Sequence, residues 1–481
     1  MSPLLELGLD LPRRGSRLRR RALHEQLRAA ILGGRLHPGL RLPSSRALAA
    51  ACRVARTTVV ATYERLLAEG YLVARPGSGT FVARGLPPHA APRARPAPAR
   101  TDPRLARPWR AAVRPAPADG RAPRYDFRVG VPDPGSFPTD LWRRLLGRAL
   151  RAAGPAGLDY APAEGREALR AGIARHVSFT RAVACRADDV VVTAGAQQAF
   201  SLIAQVLVTP GRTLVAVEDP GYPPLAAALR AAGARLAPVP VDAAGLVVGR
   251  VPRAARIVCV TPSHQFPLGT AMSLERRSAL LELARARGVV IVEDDYDSEF
   301  RFGGRPLDAL KTLDGSGAVL YVGTFSKSLA PALRTGFIVA PPWARPALVA
   351  AKRLADGHNP TAVQDALALL IDEGHLARHV RRVRRLYERR RALLLAGLAG
   401  ELAPWLEPVD SAAGLHLCAY LRGRADAAAL LARARERQVR VSSLAGYYLG
   451  AAGRPGLVFG YGATAEGDIA PGLERLRGLW P

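Results

Sequence analysis

The 481-residue chain contains few cysteines and no long hydrophobic run. No apolar stretch reaches the roughly 18 to 20 residues of a membrane span, and residues 1–16 lack the apolar core of a signal peptide. We therefore expect a soluble, cytoplasmic protein without membrane contact. The four cysteines lie far apart and form no CxxC pair, so neither a disulfide framework nor a metal site is indicated: Cys52, Cys185, Cys259, Cys418.

Lysine is scarce as well, because Lys and Arg together number 69 and only Lys311, Lys327 and Lys352 are lysines. The formal net charge of +29 favours a polyanionic partner, since arginine neutralises phosphates and releases counterions. Composition alone does not decide this, because such a dominance of arginine also arises from a compositional bias of the source. The scarcity still limits the chemistry, since any Schiff base must form on one of three lysines.

A segment rich in proline and alanine, from Gly85 to Arg124, divides the chain. It contains ten prolines, only two acidic residues, Asp102 and Asp119, and little periodic apolar pattern. This composition predicts an extended, basic linker rather than an ordinary surface loop. We therefore expect a small N-terminal domain over residues 17–84, here called the head, and a large domain over residues 125–481.

The pattern of the head predicts three helices followed by a hairpin. Apolar residues recur at helical spacing over the first helix, Ser44 or Ser45 begins a second, and a third runs from Arg56 to Ala68. Two short strands, 71–74 and 80–83, flank a turn rich in glycine. A winged helix-turn-helix of this kind places its recognition helix in the major groove of DNA, while the hairpin contacts the neighbouring backbone.

The large domain has the pattern of an α/β fold. Amphipathic helical stretches such as 274–287 alternate with apolar runs that predict strands at 189–193, 213–217, 256–261, 289–292, 319–323 and 335–340. This alternation indicates a mainly parallel sheet with helices on both faces, and ligands of such sheets bind beyond the carboxyl ends of the strands. Residues from about 363 to 481 predict a smaller α+β lobe.

The residues at these strand ends meet the demands of a phosphorylated pyridine aldehyde. Lys327 follows one strand, with the hydroxyls of Thr324 and Ser326 and the guanidinium of Arg334 nearby in the sequence as phosphate ligands. Asp294 ends another buried strand, where a carboxylate is costly unless it meets a cation such as a protonated pyridine nitrogen. The loop 195–197 offers backbone N–H groups at a helix N-terminus, which is a common anion site.

The head resembles the DNA-binding heads of GntR-family regulators. The resemblance rests on residues 35–46, on Ala55-Arg56-Thr57-Thr58-Val59 and on Glu69-Gly70-Tyr71. It implies operator DNA as a partner, contacted by Arg46, Arg56, Thr57, Thr58, Gly77 and Ser78. Each of these residues also has a structural interpretation, since Thr58 can pack in the core and Gly77 can serve only the turn.

From about Arg124 onward the chain resembles the fold-type-I aminotransferases, which bind pyridoxal 5'-phosphate. The resemblance implies a Schiff base on Lys327, a contact of Asp294 with the ring nitrogen, of Tyr296 with the phenolic oxygen, and stacking by Tyr222. The residues implied for the phosphate are Arg334, Ser326, Thr324, Ala196 and Gln197. Tyr160 matches a tyrosine that reaches the phosphate of a neighbouring subunit, so a homodimer is implied. His264 and Gln265 are expected near the phenolic oxygen.

A GntR-type head joined to such a domain resembles the MocR subfamily of transcription regulators. The segments Ser263-His264-Gln265-Phe266-Pro267 and 293–300 are close to the pattern of that subfamily. The resemblance implies a head-to-tail, domain-swapped dimer and a small-molecule effector that reacts with the cofactor or is the cofactor itself.

One departure from the aminotransferase pattern concerns the effector. Val458 stands where those enzymes carry an arginine that binds the substrate carboxylate, and Arg454 is a weaker substitute. This loss favours a sensor of pyridoxal phosphate of the PdxR type, involved in vitamin B6 metabolism, over an enzyme. Two alternatives stay open: an active aminotransferase with an appended head, and a regulator that uses the fold without cofactor as a dimerisation scaffold.

Overall fold

The computed structural model describes residues 10–12, 19–84, 104, 109, 123–154, 157, 159–302, 308–423, 426–450 and 453–480. The predicted linker, 85–124, lies almost entirely outside these residues. The chain divides into two compact units, Met1–Leu105 and Ala106–Pro481. Among the described residues, no helix combines the length and the apolar character needed to cross a membrane.

The head contains the predicted three helices and hairpin. Its helices are α1 (Arg19–Leu32), α2 (Ser45–Cys52) and α3 (Arg56–Ala68), and the antiparallel strands are β1 (Leu72–Arg75) and β2 (Gly79–Val82). Ser44 caps α2 by accepting a hydrogen bond from the backbone N–H of Ala47. Arg53 ends α2 in the left-handed conformation at φ 50°, which turns the chain into α3. Fully buried side chains of all three helices, including Leu27, Leu48 and Leu66, form one core.

The large domain is built on an eight-stranded sheet. Its strands are β4 (Val190–Thr193), β5 (Leu214–Asp219), β6 (Arg235–Asp242), β7 (Gly245–Leu246), β8 (Ala255–Val260), β9 (Val290–Asp295), β10 (Val319–Thr324) and β11 (Gly336–Val339). They lie in the order β4-β11-β10-β9-β8-β5-β6-β7. The five central strands β10, β9, β8, β5 and β6 are parallel, and β11 and β7 run antiparallel to their neighbours. The expected mainly parallel sheet is therefore confirmed.

Helices cover both faces of this sheet. They are α4 (Thr139–Ala153), α5 (Glu167–Arg181), α6 (Ala196–Leu207), α7 (Pro223–Ala231), α8 (Leu274–Arg287), α9 (Leu310–Leu313), α10 (Arg345–Asp356) and α11 (Thr361–Asp372). Successive residues of β8 show the two faces: Ile257 packs in a cluster with Phe200 of α6, and Val258 packs in a cluster with Leu280 of α8. Burial on both faces explains why the central strands are continuous apolar runs.

The expected smaller lobe follows, but it begins at His375 and not at about residue 363, because Ala366, Leu367 and Leu370 pack in the core of the large sheet. Its elements are α12 (His375–Ala399), β12 (Leu406–Pro408), β13 (His416–Leu421), α13 (Ala427–Glu436), β14 (Val439–Arg440), β15 (Ser442–Ser443), β16 (Gly456–Gly460) and α14 (Glu466–Arg477). An antiparallel sheet in the order β12-β13-β16-β15 packs against Leu394 and Leu398 of α12 and Leu473 of α14. The strand β3 (Tyr125–Asp126), from the start of the large domain, pairs with β14. This pairing brings residues 129–131 near the carboxyl ends of the parallel strands of the large sheet.

Candidate cofactor pocket and DNA-binding head

The carboxyl ends of the parallel strands open into a cavity of about 570 Å³. Val322 of β10 lies in register with Asp294 of β9, so the segments that follow these strands meet at one edge of the sheet. The cavity wall consists of Val129, Gly130, Val131, Ala196, Gln197, Tyr222, Pro223, Pro224, Phe266, Asp294, Tyr296, Thr324, Ser326, Lys327, Pro331, Arg334 and Tyr447. Nine of the twelve residues that the sequence predicts for the cofactor are thus brought together.

Lys327 projects into this cavity, and its Nζ donates a hydrogen bond to the carbonyl oxygen of Gly130 at 2.6 Å. Burial lowers the pKa of the Lys327 ammonium, although the charges of Asp297 and Asp294 act in the opposite direction. Gly130 has φ +76°, and a Cβ atom there would lie 2.9 Å from Nζ. The glycine therefore leaves room for the lysine, and burial favours the uncharged, nucleophilic form of its amine more than water would.

Asp294 is the counter-charge expected for a cationic ring. Its side chain is buried, and Oδ1 has no hydrogen-bond partner among the described residues. Burial, followed by the charge of Asp295, raises the pKa of Asp294 well above its ordinary value. An orphaned buried carboxyl oxygen at a cavity wall fits a protonated pyridine nitrogen, because this cation supplies both the missing hydrogen bond and the missing charge.

Another part of the cavity wall is suited to a phosphate. Helix α6 begins at Ala196, directly after Gly195, and its first backbone N–H groups have no partner within the helix. Nη2 of Arg334 donates to the carbonyl oxygen of Ala194 at 2.6 Å, and a Cβ atom on Gly195 would lie 3.0 Å from Nη1. The hydroxyl oxygens of Thr324 and Ser326 are 3.0 Å apart. A helix N-terminus, a guanidinium and two hydroxyls thus converge on one small region.

Aromatic side chains form the remaining wall. Tyr222 lies just before α7, and its ring meets that of Phe266 edge to face, with the centroids 5.2 Å apart. Burial raises the pKa of Tyr222 to about 12, so this phenol stays neutral at physiological pH. The ring of Phe266 also lies 5.7 Å from that of Tyr296. These rings offer apolar surface for stacking against a planar ligand.

Tyr296 is held from behind by a buried histidine. Its hydroxyl donates to the carbonyl oxygen of His264 at 3.0 Å and lies 2.8 Å from Nδ1 of the same residue. Nδ1 is also 3.0 Å from Oδ1 of Asp297, and Nε2 is 3.2 Å from Oγ of Ser411. A carboxylate only accepts hydrogen bonds, so the tautomer with a hydrogen on Nδ1 fits the contact with Asp297. Burial raises the pKa of Tyr296 well above its usual range, so the hydroxyl keeps its proton.

The predicted DNA contacts lie on exposed parts of the head. Arg46 of α2 and both Arg56 and Thr57, at the start of α3, are exposed, whereas Thr58 is half-buried. Nε of Arg56 is 3.4 Å from Oγ of Ser45, which links the first turns of the two helices. Gly77, at φ +72°, and Ser78 form the exposed tip of the β1–β2 hairpin. The start of α3 and the hairpin tip are therefore exposed within the head, at the two places where a winged helix-turn-helix contacts DNA.

Comparison with known proteins agrees with both halves of this description. Residues 19–82 match the model of bacterial regulatory proteins of the gntR family, and residues 133–456 match the aminotransferase class I and II model. The chain is 39% identical over 463 residues to a probable rhizopine catabolism regulatory protein, MocR, of Rhizobium meliloti, covering 95% of this chain and 92% of that one. The chain belongs to the MocR-type regulators of the GntR family.

Two further likenesses bear on this MocR-type regulator. The pyridoxine biosynthesis regulator PdxR of Corynebacterium glutamicum is 33% identical, covering 93% of this chain and 92% of that one. The solved alpha-aminoadipate aminotransferase of Thermus thermophilus, complexed with N-(5'-phosphopyridoxyl)-L-leucine, is 32% identical with a TM-score of 0.68, covering 74% of this chain and 91% of that one. The family and the fit of the pocket together identify pyridoxal phosphate as the cofactor. The helix-turn-helix identifies DNA as a partner.

Three predicted cofactor residues of the MocR-type regulator do not line the cavity. The amide nitrogen of Gln265 donates to Glu218, to the carbonyl oxygen of Pro220 and to that of Phe266, so this side chain faces away. His264 lies behind Tyr296 and contacts its hydroxyl group. Tyr160 is 93% exposed and lies outside the cavity wall of its own chain.

Several wall residues escaped prediction. Phe266, next to Gln265, takes the position expected for the polar neighbour, and an apolar residue in a loop has no distinctive sequence signal. Val129, Gly130 and Tyr447 come from distant parts of the chain, and nothing in their local sequence indicates the cavity. For Gly130 the sequence offers one weak signal, because glycine readily adopts the positive φ that this residue has.

Val458 places an apolar side chain behind the cavity wall, at the position where a carboxylate-binding arginine is expected. The residue is fully buried and packs with Leu268, Cys418 and Leu444, next to the cavity residues Val129 and Tyr447. Arg454 does not replace the missing cation. Its guanidinium pairs with Glu407 and lies over the ring of Tyr420, 4.3 Å from the centroid.

Proposed function

We propose that this MocR-type regulator binds operator DNA through its head and senses pyridoxal phosphate, or an amine or amino-acid effector, through its pocket. The observation that carries the proposal is the apolar environment of Val458, beside a pocket that brings nine of the twelve expected cofactor residues together. Without a bidentate cation, the carboxylate of an amino acid gains little on binding. The pocket therefore favours retention of the cofactor over exchange of amino groups.

Each residue of this pocket has its own role toward the cofactor. Pyridoxal phosphate supplies a reactive aldehyde and an electron-accepting ring. Lys327 provides the amine, Asp294 holds the ring end, and Arg334 with the first turn of α6 holds the phosphate end. The hydroxyl of Tyr296, which donates to the carbonyl oxygen of His264 here, would turn its proton toward the phenolic oxygen of the cofactor, and Tyr222 and Phe266 would cover the ring faces.

The proposal includes a homodimer in a head-to-tail, domain-swapped arrangement. Tyr160 is 93% exposed on its own chain, so its ring is accessible to the pocket of a partner subunit. Effector binding alters DNA affinity only to the extent that the effector binds one arrangement of the dimer more tightly than another. A regulator of this kind works in the cytoplasm, where its operator lies.

The name of the PdxR relative suggests the regulated process. We include control of vitamin B6 synthesis or salvage in the proposal, with pyridoxal phosphate itself as the effector. A protein that lacks the carboxylate clamp but keeps the cofactor ligands is suited to measure the concentration of that cofactor.

Single-turnover spectroscopy tests the proposal. Common amino acids at concentrations up to about 1 mM, a usual upper limit for substrate KM values, are expected to leave the absorbance of the bound cofactor almost unchanged within minutes. Rapid and complete conversion would instead favour the second candidate, an active aminotransferase. That candidate is supported by the presence of Lys327, Asp294 and Tyr296 in one cavity.

A further inference from the structure

A second concave surface lies on the large domain, apart from the cofactor pocket. A groove of about 620 Å³ runs along the exposed side of α12, next to the turn that contains Gly135 and Ser136. Five arginines of α12 line it, together with Leu386: Arg378, Arg381, Arg382, Arg385 and Arg389. Their spacing of three or four residues places them on one face of the helix.

The charge of α12 is unusual even in this arginine-rich chain. The helix contains eight arginines and one acidic residue, Glu388. By contrast, α8 contains four arginines and two glutamates, and α14 contains two arginines and three acidic residues. A general bias toward arginine would affect these helices alike, so the excess on α12 requires a local explanation.

The arrangement is also unfavourable for the isolated helix. Arg378 and Arg382, Arg381 and Arg385, and Arg385 and Arg389 stand four residues apart, and like charges at this spacing repel each other. Only Arg389 of the groove has an acidic partner, Glu466, among the described residues. Within the same described ranges, neither Arg381 nor Arg385 forms a hydrogen bond or ion pair through its side chain. A polyanion in the groove would remove this repulsion.

We infer that the α12 groove binds the phosphate backbone of DNA, as a second contact besides the head. Eleven residues separate Arg378 from Arg389, which is about 16 Å along the helix at 1.5 Å per residue. Six successive phosphates of one DNA strand, which are five steps of about 3.4 Å along the axis, rise by about the same length. The inference rests on DNA binding by the head, which brings this polyanion to the protein, and the groove adds affinity without base specificity.

The test measures how DNA affinity depends on salt, using the full chain loaded with pyridoxal phosphate. One labelled duplex of about 20 base pairs carries the sequence that the protein selects from a random pool, which suits paired half-sites. A second duplex carries the same sequence within about 60 base pairs, which supplies flanking phosphates. The variant is Arg381→Gln with Arg385→Gln. The matched control is Arg433→Gln with Arg435→Gln, which removes the same charge from exposed positions of α13.

The measured quantity is the slope of the logarithm of the binding constant against the logarithm of the salt concentration. On the long duplex, the wild-type chain and the control are expected to have the same slope. The groove variant should have a slope smaller by about 2, since each lost phosphate contact contributes about 0.9. On the short duplex, all three proteins should bind alike.

Equal slopes for the groove variant and the wild type on the long duplex would overturn the inference. An equal loss in the control would overturn it as well, because net charge alone would then explain the effect. If the groove variant no longer binds a labelled polyglutamate peptide that the wild type binds, while its DNA slopes are unchanged, the groove binds an acidic protein and not DNA. Failure of the wild type to select or bind any short duplex would contradict the proposed function itself, which is a separate outcome.

Discussion

Replacement of Arg334 by alanine should weaken the binding of pyridoxal phosphate without unfolding the domain. The guanidinium lies beside Gly195 and the first turn of α6, and Arg334 is an exposed residue. A hydrogen bond to a charged group contributes about 1.5 to 3 kcal/mol. Because solvent screens an exposed cation, we take a value near the lower end, about 2 kcal/mol. This value corresponds to a dissociation constant about 30-fold higher, since 1.4 kcal/mol is tenfold.

Arg334→Lys should have a smaller effect. Lysine keeps the charge but loses the planar fork that bonds two phosphate oxygens at once, so we expect a loss of about fivefold. The measurement is a titration of the apo protein with pyridoxal phosphate, followed by the absorbance of the bound cofactor at constant ionic strength. Arg230→Ala is the control, because Arg230 is exposed at the end of α7 and does not line the cavity. A change below about threefold in Arg334→Ala, near the error of such titrations, or an equal change in the control, would refute the assigned phosphate site.

Three further variants test other parts of the molecule. Arg56→Ala should weaken operator binding by about 1 to 3 kcal/mol in an anisotropy titration, and unchanged binding would count against α3 as the recognition helix. Leu27→Ala removes a fully buried side chain from the core of the head and should lower its stability by about 2 to 5 kcal/mol. Hydrogen exchange of the head peptides measures this change, and exchange at the wild-type rate would contradict the described core.

The third variant concerns pH. Burial, followed by His264, depresses the pKa of His416 in the folded protein. The unfolded chain therefore binds the proton first, and stability should fall as pH decreases below about 6.5. His416→Gln should flatten that part of the urea-midpoint profile, whereas an unchanged profile would show that the histidine does not titrate on unfolding.

Local signals in the sequence were sufficient for the elements that carry the site. The helices Arg56–Ala68 and Leu274–Arg287 begin and end at the predicted residues, because a turn precedes the first and Ser273 and Gly288 bound the second. Asp294 and Lys327 were expected at one edge of the sheet, since parallel strands end on the same side. That inference did not require knowledge of the order of the strands in the sheet.

Tertiary contacts were beyond such reasoning. Gly130, which accepts the hydrogen bond of Lys327, lies 197 residues away in the sequence. Whether Gln265 or Phe266 faces the cavity depends on the path of one loop, and the hydrogen bonds of Gln265 to Glu218 and Pro220 decide it. Neither contact has a periodic pattern that would predict it.

Strand β6 was also missed, for an instructive reason. It contains Pro238 and Pro240, and proline within a run argues against a central strand. Both prolines pair with β5 in the register, while the short β7 reaches only Val241 and Asp242. The strand is therefore open along most of its outer side, where the missing N–H groups carry no penalty.

The central claim is that Lys327 makes DNA binding responsive to the cofactor. Its most direct test is the operator affinity of the wild-type chain and of Lys327→Ala, each measured with and without pyridoxal phosphate. We expect the affinity of the wild type to change on addition of the cofactor and that of the variant to stay constant. The same response in both proteins, or no response in the wild type, would contradict the account.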